Sequence, residues 1–338
     1  MLCKRTKSYT GVATDMAGSI KLIKRRIRSI SSTAKLTRAM QMIATASMRK
    51  AVDQSHAAMP SAAETVNFLH RFAHAFRQND SRHPYITPSA HLEKVLAVVV
   101  TSNRGLCGSY HSNLEKKLRQ VVTHPEVLLT YPLDQATEEQ KQHPPQVDFE
   151  WIVVGRKGER MIKKLHQPII ASFNKLNENV DLKELDAVFN LIRKQFDTGR
   201  FQKVIVFYTE HINSLKQVPT VGQLLPISEQ EVRRVLDEWE LNFRDFIRRD
   251  TTDVQYVIEP NQDELLAMIS MLLIKMLLHY FVLESKAAVE SARMIAMKNA
   301  SDAATEMEGV LTLAYNQLRQ GKITNEIAEI SAGSAALE

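Results

Sequence analysis

The stretch SNRGLCGSY, residues 102–110, is the first candidate for a chemical site in this sequence. It is a glycine-bearing turn after a predicted buried strand, and turns of this kind hold phosphate groups through their backbone amides. The stretch lacks the Gly-Lys-Ser/Thr ending with which a P-loop binds phosphate and magnesium. It also lacks the three-glycine fingerprint of dinucleotide sites. We therefore predict a structural turn that holds no nucleotide or cofactor.

The histidines and cysteines form no pattern that suggests a metal site or a catalytic nucleophile. His70 and His74 lie four residues apart on a predicted helix, but no third ligand is near them in the sequence. Cys3 and Cys107 lack a metal-ligand spacing, and two cysteines favour a reducing compartment over a disulfide framework. No serine–histidine–acid or cysteine–histidine set is discernible. We predict no catalytic residue, no metal site and no cofactor.

A second candidate, residues 24–51, is a basic helix with eight basic residues and no acidic residue, glycine or proline. Together with a net charge of +6 and a pI near 9.2, it favours an anionic partner, namely nucleic acid, an anionic lipid surface or an acidic protein. Clustered lysines and arginines neutralise phosphates, but no aromatic residue lies between Ile20 and Asn67 to stack on bases. A solvated face or a helix partner explains this segment better, because apolar residues recur in it at helical spacing.

A coiled-coil pattern runs through this first helix, where apolar residues step by three and four. The residues of this track are Ile20, Ile23, Ile27, Ile30 and Ala34. The track then changes phase and resumes at Leu36, Met40 and Ile43. Pro60 predicts a kink or an interruption, after which the helix returns over residues 62–76.

The middle of the chain alternates between strand and helix patterns. Buried strands are predicted at residues 94–100, 149–155 and 203–210, and two further strands near residues 217–225 and 254–259. Helices are predicted at residues 113–122, 156–165 and 181–199, the last with a glycine stop at Gly199. Strands that alternate with helices imply a mostly parallel, Rossmann-like sheet.

A very long helix is predicted after Pro260, because no further proline and only three glycines follow. Asn261 is its predicted N-cap. One three-four track holds Met294, Met297, Ala304, Leu311, Tyr315 and Leu318, with Ser301 and Glu308 as polar interruptions. A helix of about 70 residues would be about 105 Å long, which is too long for a globular core to cover. We therefore predict a coiled coil in which this helix pairs antiparallel with the first one.

The apolar run at residues 265–283 is nearly long enough to span a membrane. It contains Lys275 and His279 and continues into polar helix on both sides, so we predict a buried helix. The predicted fold class is an α/β head domain with a mostly parallel sheet, plus a long antiparallel coiled coil. The predicted segments are an extension or disordered tail at 1–15, a coiled-coil helix with a connecting helix at 16–80, the α/β domain at 90–259 and the second coiled-coil helix at 260–338.

Three blocks of this sequence resemble the gamma subunit of rotary F-type ATP synthases. Residues 16–51 resemble the opening helix of that family, residues 102–114 its central-domain signature and residues 284–337 its closing helix. VPTVGQLLPI, residues 218–227, also has a counterpart there. The pattern of the family does not extend to residues 1–15, and two other segments are longer or divergent, namely 131–150 and 227–252.

The resemblance implies a central stalk that couples ion-driven rotation of a membrane c ring to conformational change in an alpha–beta catalytic hexamer. The implied partners are the alpha and beta subunits, an epsilon-type subunit and the c ring, with no nucleic acid and with membrane contact only through partners. It implies a non-catalytic subunit of a proton- or sodium-translocating complex. The implied location is the cytoplasmic face of a bacterial inner membrane or, alternatively, the matrix side of an organellar inner membrane.

Five residues match positions where the rotor of this family touches its stator. Arg38 and Met40 match the part of the first helix that faces an acidic loop of the beta subunits, and Arg293 lies on the last helix. Gln320 and Thr324 match positions that touch a catch on the beta subunit. Each of the five is also compatible with an ordinary coiled-coil surface. Composition and spacing alone favour a static coiled-coil scaffold with an α/β head, and a nucleic-acid binder is a further alternative.

Overall fold

The structure, a computed structural model, describes residues 9–77, 84–87, 89, 92–128, 147–174, 182–227 and 262–335. Its helices are α1 (Tyr9–Arg77), α2 (Tyr110–Thr123), α3 (Arg156–Lys164), α4 (Asp186–Asp197) and α5 (Gln262–Ala335). Its strands are β1 (Lys94–Val100), β2 (Asp148–Val154), β3 (Ile169–Phe173), β4 (Lys203–His211) and β5 (Gln217–Leu225). The chain divides into two compact units, one of residues 44–293 and the other of residues 1–43 with 294–338.

The five strands form one sheet in the order β3-β2-β1-β4-β5, in which only β5 is antiparallel to its neighbour. Four of these five strands were among the five predicted from sequence, and the mostly parallel sheet is confirmed. The strand β3 was not predicted, because its short segment IIASF lies half-exposed at the sheet edge and lacks a long apolar run. The strand predicted near residues 254–259 lies outside the described residues.

The two faces of the sheet are covered by different helices. Alternate side chains of β1 point to opposite faces, as the pleat of a strand requires: Val95, Ala97 and Val99 pack with α2 and α3, whereas Leu96, Val98 and Val100 pack with α4 and α5. On the first face, Leu114 of α2 and Ile162 of α3 are fully buried. We call this side of the sheet the outer face, because the long helix α5 packs on the other side.

The apolar run of α5 is buried in the unit of residues 44–293, as predicted. Within Ala267–Ala332 the helix is long and apolar enough to cross a membrane by length and composition alone. Leu278 and Phe281 are nevertheless buried against the sheet, and Lys275 Nζ lies 2.5 Å from Asp186 Oδ1 of α4. These contacts account for the run as the core helix of an α/β layer.

The helix α1 is continuous through Pro60, so the interruption that the sequence suggested there does not occur. Packing on both sides of the proline explains the continuity. Ser55 is buried and donates a hydrogen bond to Glu284 Oε1 (3.0 Å), and Thr65 Oγ1 lies 3.3 Å from Met276 Sδ. Both contacts run between α1 and α5 in opposite chain directions, so the two helices are antiparallel in this unit. Helix α1 begins at Tyr9 and thus includes part of the predicted extension.

In the unit of residues 1–43 and 294–338, the predicted tracks form the seam between the two helices. Every apolar residue of the α5 track is buried or half-buried, and the polar Ser301 is buried with them. Its hydroxyl lies 3.5 Å from the Ala34 carbonyl oxygen of α1. In α1, the first track is half-buried throughout, at Ile20, Ile23, Ile27, Ile30 and Ala34. The seam of the predicted coiled coil is confirmed for these residues.

The predicted change of phase in α1 is wrong. Beyond Ala34, the three-four steps continue without a slip through Thr37, which is buried, and Gln41, which is half-buried. The apolar residues Leu36 and Ile43 are instead 57% and 62% exposed. The apolar residues of this stretch do not mark its buried side, because that side of the helix carries small or polar residues. The Thr37 hydroxyl is satisfied by the carbonyls of Thr33 and Ala34, both at 3.0 Å, which removes the penalty of burying it.

Candidate functional site

The crevice at the carboxyl ends of β1 and β4 is where the order of the strands reverses. In open α/β sheets, small molecules bind at this position. Here residues 284–292 of α5 fill the crevice, because Ala288 and Val289 pack on Cys107 and Tyr110 of the loop after β1. Ser285 Oγ accepts the amide hydrogen of Thr209 at the end of β4 (3.0 Å). The crevice therefore serves as a socket for a helix of the chain itself.

Glu284 joins three elements in this socket. One carboxylate oxygen accepts the hydroxyl of Ser55 from α1 (3.0 Å), and the other accepts the backbone amide of His211 from β4 (2.9 Å). The side chain is buried, and burial raises the pKa of this carboxyl despite both hydrogen bonds. Nearby, Tyr110 donates its hydroxyl to the Ser285 carbonyl (3.3 Å), and burial raises the pKa of Tyr110 to about 12. These polar contacts hold α5 to the sheet in one orientation about its own helix axis.

We expect Glu284→Gln to change how stability depends on pH. Because the pKa of Glu284 is raised above 4.5 in the folded chain, the folded state holds the proton more tightly than the unfolded state. The contribution of Glu284 to the free energy of unfolding therefore falls as the pH rises from the ordinary pKa through the raised one. Glutamine does not titrate and keeps an acceptor for the His211 amide. Urea denaturation from about pH 4 to about pH 8 checks this expectation.

The matched control for this measurement is Glu115→Gln. A hydrogen bond from Lys164 lowers the pKa of Glu115, so its contribution to stability is present at neutral pH and is lost as the pH falls. The difference in the free energy of unfolding between wild type and variant should therefore fall with rising pH for Glu284→Gln. The same difference should rise with rising pH for Glu115→Gln. A difference at Glu284 that is flat or that rises with pH would contradict the assignment.

The turn at residues 102–110 caps the helix α3. Asn103 Oδ1 accepts the amide of Arg156 (3.0 Å), the Ser102 carbonyl accepts the amide of Lys157 (3.2 Å), and Thr101 Oγ1 accepts the amide of Gly158 (2.8 Å). These are the amides with which a helix N-terminus would bind a phosphate, and here they are already satisfied by the chain. The turn thus has a structural role at the start of α3.

Arg293 lies against this turn. Its Nε donates to the Gly105 carbonyl (3.3 Å), and its guanidinium forms an ion pair with Glu290 one turn earlier in α5. Most of its side chain is buried. Beside it, burial raises the pKa of the Cys107 thiol, so that the thiol form is favoured. The structure thus gives Arg293 a role in holding the turn to the helix, which the sequence analysis had not assigned.

The other four predicted contact residues lie in the unit of residues 1–43 and 294–338. Arg38 is exposed on α1, and Met40 is half-buried. Gln320 and Thr324 are both exposed on α5, where the Thr324 hydroxyl donates to the Gln320 carbonyl (3.0 Å). Gln320 and Thr324 are therefore neighbours on one helix surface and available to a partner.

Large apolar side chains accompany these residues on the surface of the same unit. On α1, Leu36, Met42 and Ile43 are exposed, and on α5 the exposed residues include Met307, Val310, Leu313, Ile327 and Ile330. Large apolar side chains that are exposed near one another on a protein surface indicate an interaction site, so this surface is a candidate contact surface. These exposed apolar residues lie outside the tracks that form the seam between the two helices.

The polar contacts of the socket were not predicted from the sequence. Glu284 and Ser285 follow an apolar helical run, and that change of polarity was the signal that could have identified them. Ser291 extends the set, because its hydroxyl donates to the Ser214 carbonyl in the turn after β4 (3.0 Å).

Among the described residues, no cluster of three or more His, Cys, Asp or Glu side chains is arranged to hold a metal ion.

Comparison with known proteins gives consistent matches along the chain. A family described as ATP synthase matches residues 19–337. The chain is 31% identical over 319 residues to an ATP synthase gamma chain of Dehalococcoides mccartyi, covering 94% of this chain and 99% of that relative. It is also 31% identical over 324 residues to an ATP synthase gamma chain of Legionella pneumophila, covering 95% of this chain and 100% of that relative.

Solved structures match in fold. The central stalk and c ring structure of the Tetrahymena thermophila mitochondrial ATP synthase includes a chain that aligns with a TM-score of 0.54 at 20% identity, covering 79% of this chain and 99% of that one. A chain in the OSCP, F1 and c ring structure of the Euglena gracilis mitochondrial ATP synthase aligns with a TM-score of 0.59 at 15% identity, covering 95% of both chains.

Proposed function

Because the chain belongs to the ATP synthase gamma chain family, we propose that it is the central-stalk subunit, or rotor, of an F-type ATP synthase. It couples ion-driven rotation of a membrane c ring to conformational change, and hence to ATP synthesis or hydrolysis, in an alpha–beta hexamer. Residues 16–80 and 260–338 serve as the shaft, and residues 90–259 serve as the head that holds an epsilon-type subunit and the c ring.

The observation that carries this proposal is the surface of the two paired helices. Their seam holds the apolar tracks, while Leu36, Ile43 and Leu313 remain exposed outside it and Arg38 adds positive charge to the exposed surface. A static scaffold would bury such apolar residues in a fixed interface. A rotor presents them to a surrounding ring and remakes the contacts at each step. The free energy of each catalytic site then depends on the angle of the shaft, through contacts that differ between states.

The socket supplies the route by which torque enters the shaft. Rotation of the head moves β4, and β4 is hydrogen-bonded to α5 through Thr209–Ser285 and His211–Glu284. Side-chain contacts of this kind resist slipping of the helix in the crevice, since each slip would leave buried polar groups unsatisfied.

The chain is part of the ATP synthase complex and associates with the membrane as a peripheral subunit. We infer that it is not itself catalytic, and the use of the turn at residues 102–110 to cap α3 supports this inference. We place it at the cytoplasmic face of a bacterial inner membrane, which the bacterial origin of the relatives at 31% identity supports. The alternative is the matrix side of an organellar inner membrane, and fractionation of the source cells separates the two.

Co-expression with the alpha and beta subunits of the same genome tests the function. We expect one copy of this chain in a complex with three alpha–beta pairs, and a higher rate of multisite ATP hydrolysis than without it. Observation of ATP-driven rotation of a bead on the head would follow. A complex that binds partners tightly in every nucleotide state, with no effect on turnover, would favour the static scaffold instead.

The contact residues can be tested within that complex. We propose that Arg38, Met40, Arg293, Gln320 and Thr324 contribute to contacts with the beta subunits. The variant Q320A/T324A is expected to lower multisite turnover about fivefold, as the loss of roughly 1 kcal/mol of contact energy would. Both side chains are exposed, so the free energy of unfolding should change by less than about 0.5 kcal/mol. Thr312→Ala is the control, because Thr312 is exposed on the same helix, donates its hydroxyl to the Glu308 carbonyl and lies about 100° around the helix from this pair. An equal loss of turnover in it would count against the assignment.

A further inference from the structure

The outer face of the sheet carries the net charge of the chain. Helix α2 has three basic residues and Glu115, and α3 has five basic residues and Glu159, which gives the two helices a formal net charge of +6. The whole chain also has +6, so its other residues are balanced. Helix α4, on the opposite face, has two basic and two acidic residues. The basic face, as we call it, consists of the exposed residues Lys116, Arg119, Arg156, Arg160, Lys163 and Lys164.

The two carboxylates of the basic face are already used within it. Lys164 Nζ lies 2.7 Å from Glu115 Oε1 and links α3 to α2, and Lys163 Nζ lies 2.6 Å from Glu159 Oε1. Hydrogen bonds from Lys163, Asn174 and Ser172 lower the pKa of Glu159 to about 2, so it stays ionised. Among the described residues, Lys116, Arg156 and Arg160 have no carboxylate partner. Within the described part of the chain, the two carboxylates of this face do not neutralise its surplus charge.

The composition of the basic face indicates a weak and rapid contact. No large apolar side chain is exposed on α2 or α3, both of which the structure describes completely. Permanent interfaces have a buried apolar or aromatic core, which this face cannot supply. Contacts made by exposed charges form quickly, are sensitive to salt and add little to affinity.

The position of the face decides between the anionic partners. The α5 segment in this unit packs on the opposite side of the sheet, so a rotor that turns about α5 carries the basic face pointing sideways, away from its axis. A membrane surface perpendicular to the shaft would meet the end of the domain and not its side. On the basis of the proposed function, we propose that the basic face is a transient docking surface. Its partner is an acidic protein surface that stands beside the rotor.

Zero-length cross-linking of the intact complex tests the proposal. A carbodiimide joins lysine amines to carboxylates in direct contact, and mass spectrometry of the native ATP synthase then identifies both residues. We expect cross-links from Lys116, Lys163 or Lys164 to Asp or Glu of another subunit. Lys183, Lys194 and Lys216 are exposed elsewhere on the same unit and serve as the internal control. Cross-links from the control lysines alone would overturn the proposal.

A matched pair of variants tests the charge itself. In the assembled complex, K116Q/R156Q/R160Q should weaken binding to poly-L-glutamate about tenfold at low salt, as loss of three exposed charge contacts predicts. K183Q/K194Q/K216Q removes the same charge and should change binding less than about twofold. An equal loss in both variants would overturn the proposal, and so would tighter binding of the basic face to phosphatidylglycerol vesicles or duplex DNA than to poly-L-glutamate. Absence of the chain from the complex would instead refute the proposed function.

Discussion

Ile295→Pro is expected to uncouple ATP hydrolysis from ion pumping or to prevent stable assembly of the complex. Ile295 lies inside α5, in the stretch that follows the socket, and its side chain is half-buried. Proline removes one backbone hydrogen bond and its ring collides with the carbonyl of Ser291, at a cost of about 3 kcal/mol or more. The resulting kink would interrupt the shaft between the head and the contact residues. The measurement is ATP-driven acidification of inverted membrane vesicles, compared with ATPase activity in the same vesicles.

Ile295→Ala is the matched control for this variant. It removes the same apolar side chain but keeps the backbone amide, and alanine has the highest helix propensity. We expect it to retain coupled pumping with a modest loss of stability. Normal coupled pumping by the proline variant would contradict the idea that torque passes along α5 at this level. An equal defect in both variants would assign the effect to the side chain and not to the helix backbone.

Gly155→Ala is expected to destabilise the α/β unit by roughly 2–6 kcal/mol, a large part of the stability of a typical domain. Gly155 lies between β2 and α3 with φ +95°, a conformation that L-residues rarely adopt. A Cβ atom there would lie 2.4 Å from the Thr101 carbonyl oxygen, which is backbone and cannot move aside. The substitution would disturb the turn that caps α3. Urea denaturation of the purified chain measures the loss.

Gly199→Ala separates the two causes. Gly199 also has a positive φ, +69°, but a Cβ atom there would meet nothing within 4 Å. This variant should therefore lose only the cost of the left-handed conformation, about 1–2 kcal/mol. Similar losses at Gly155 and Gly199 would show that the close approach of Thr101 contributes nothing.

Much of the fold follows from periodicity that is visible in the sequence. The β-branched run of residues 94–100 predicted a buried strand, and the three-four track from Met294 to Leu318 predicted the buried side of α5 residue by residue. These signals are local, because the spacing of apolar residues reflects the geometry of the element that carries them. The edge strand β3 lacked such a signal, since half of its surface is left uncovered.

The site was less predictable. Residue matches to a known family pointed to exposed positions such as Arg38 and Thr324, but they did not identify Glu284, Ser285 or Thr209 as the contacts that hold the shaft. No local pattern indicates that a helix of the chain fills the crevice at the strand ends. Arg293 was assigned to a partner, yet it also contacts the Gly105 carbonyl, a group 188 residues away in the chain.

The sequence by itself determined the element types, the length of α5, the basic character of the chain and its membership of the ATP synthase gamma chain family. Only the tertiary structure decided which side of α1 faces its partner beyond Ala34, because burial there depends on how closely two backbones approach. Thr37 is buried and Leu36 is exposed, since a close-packed seam accepts small side chains and leaves large ones outside. Leu36 and Ile43 therefore remain exposed on this stretch of α1, beside the seam and not within it.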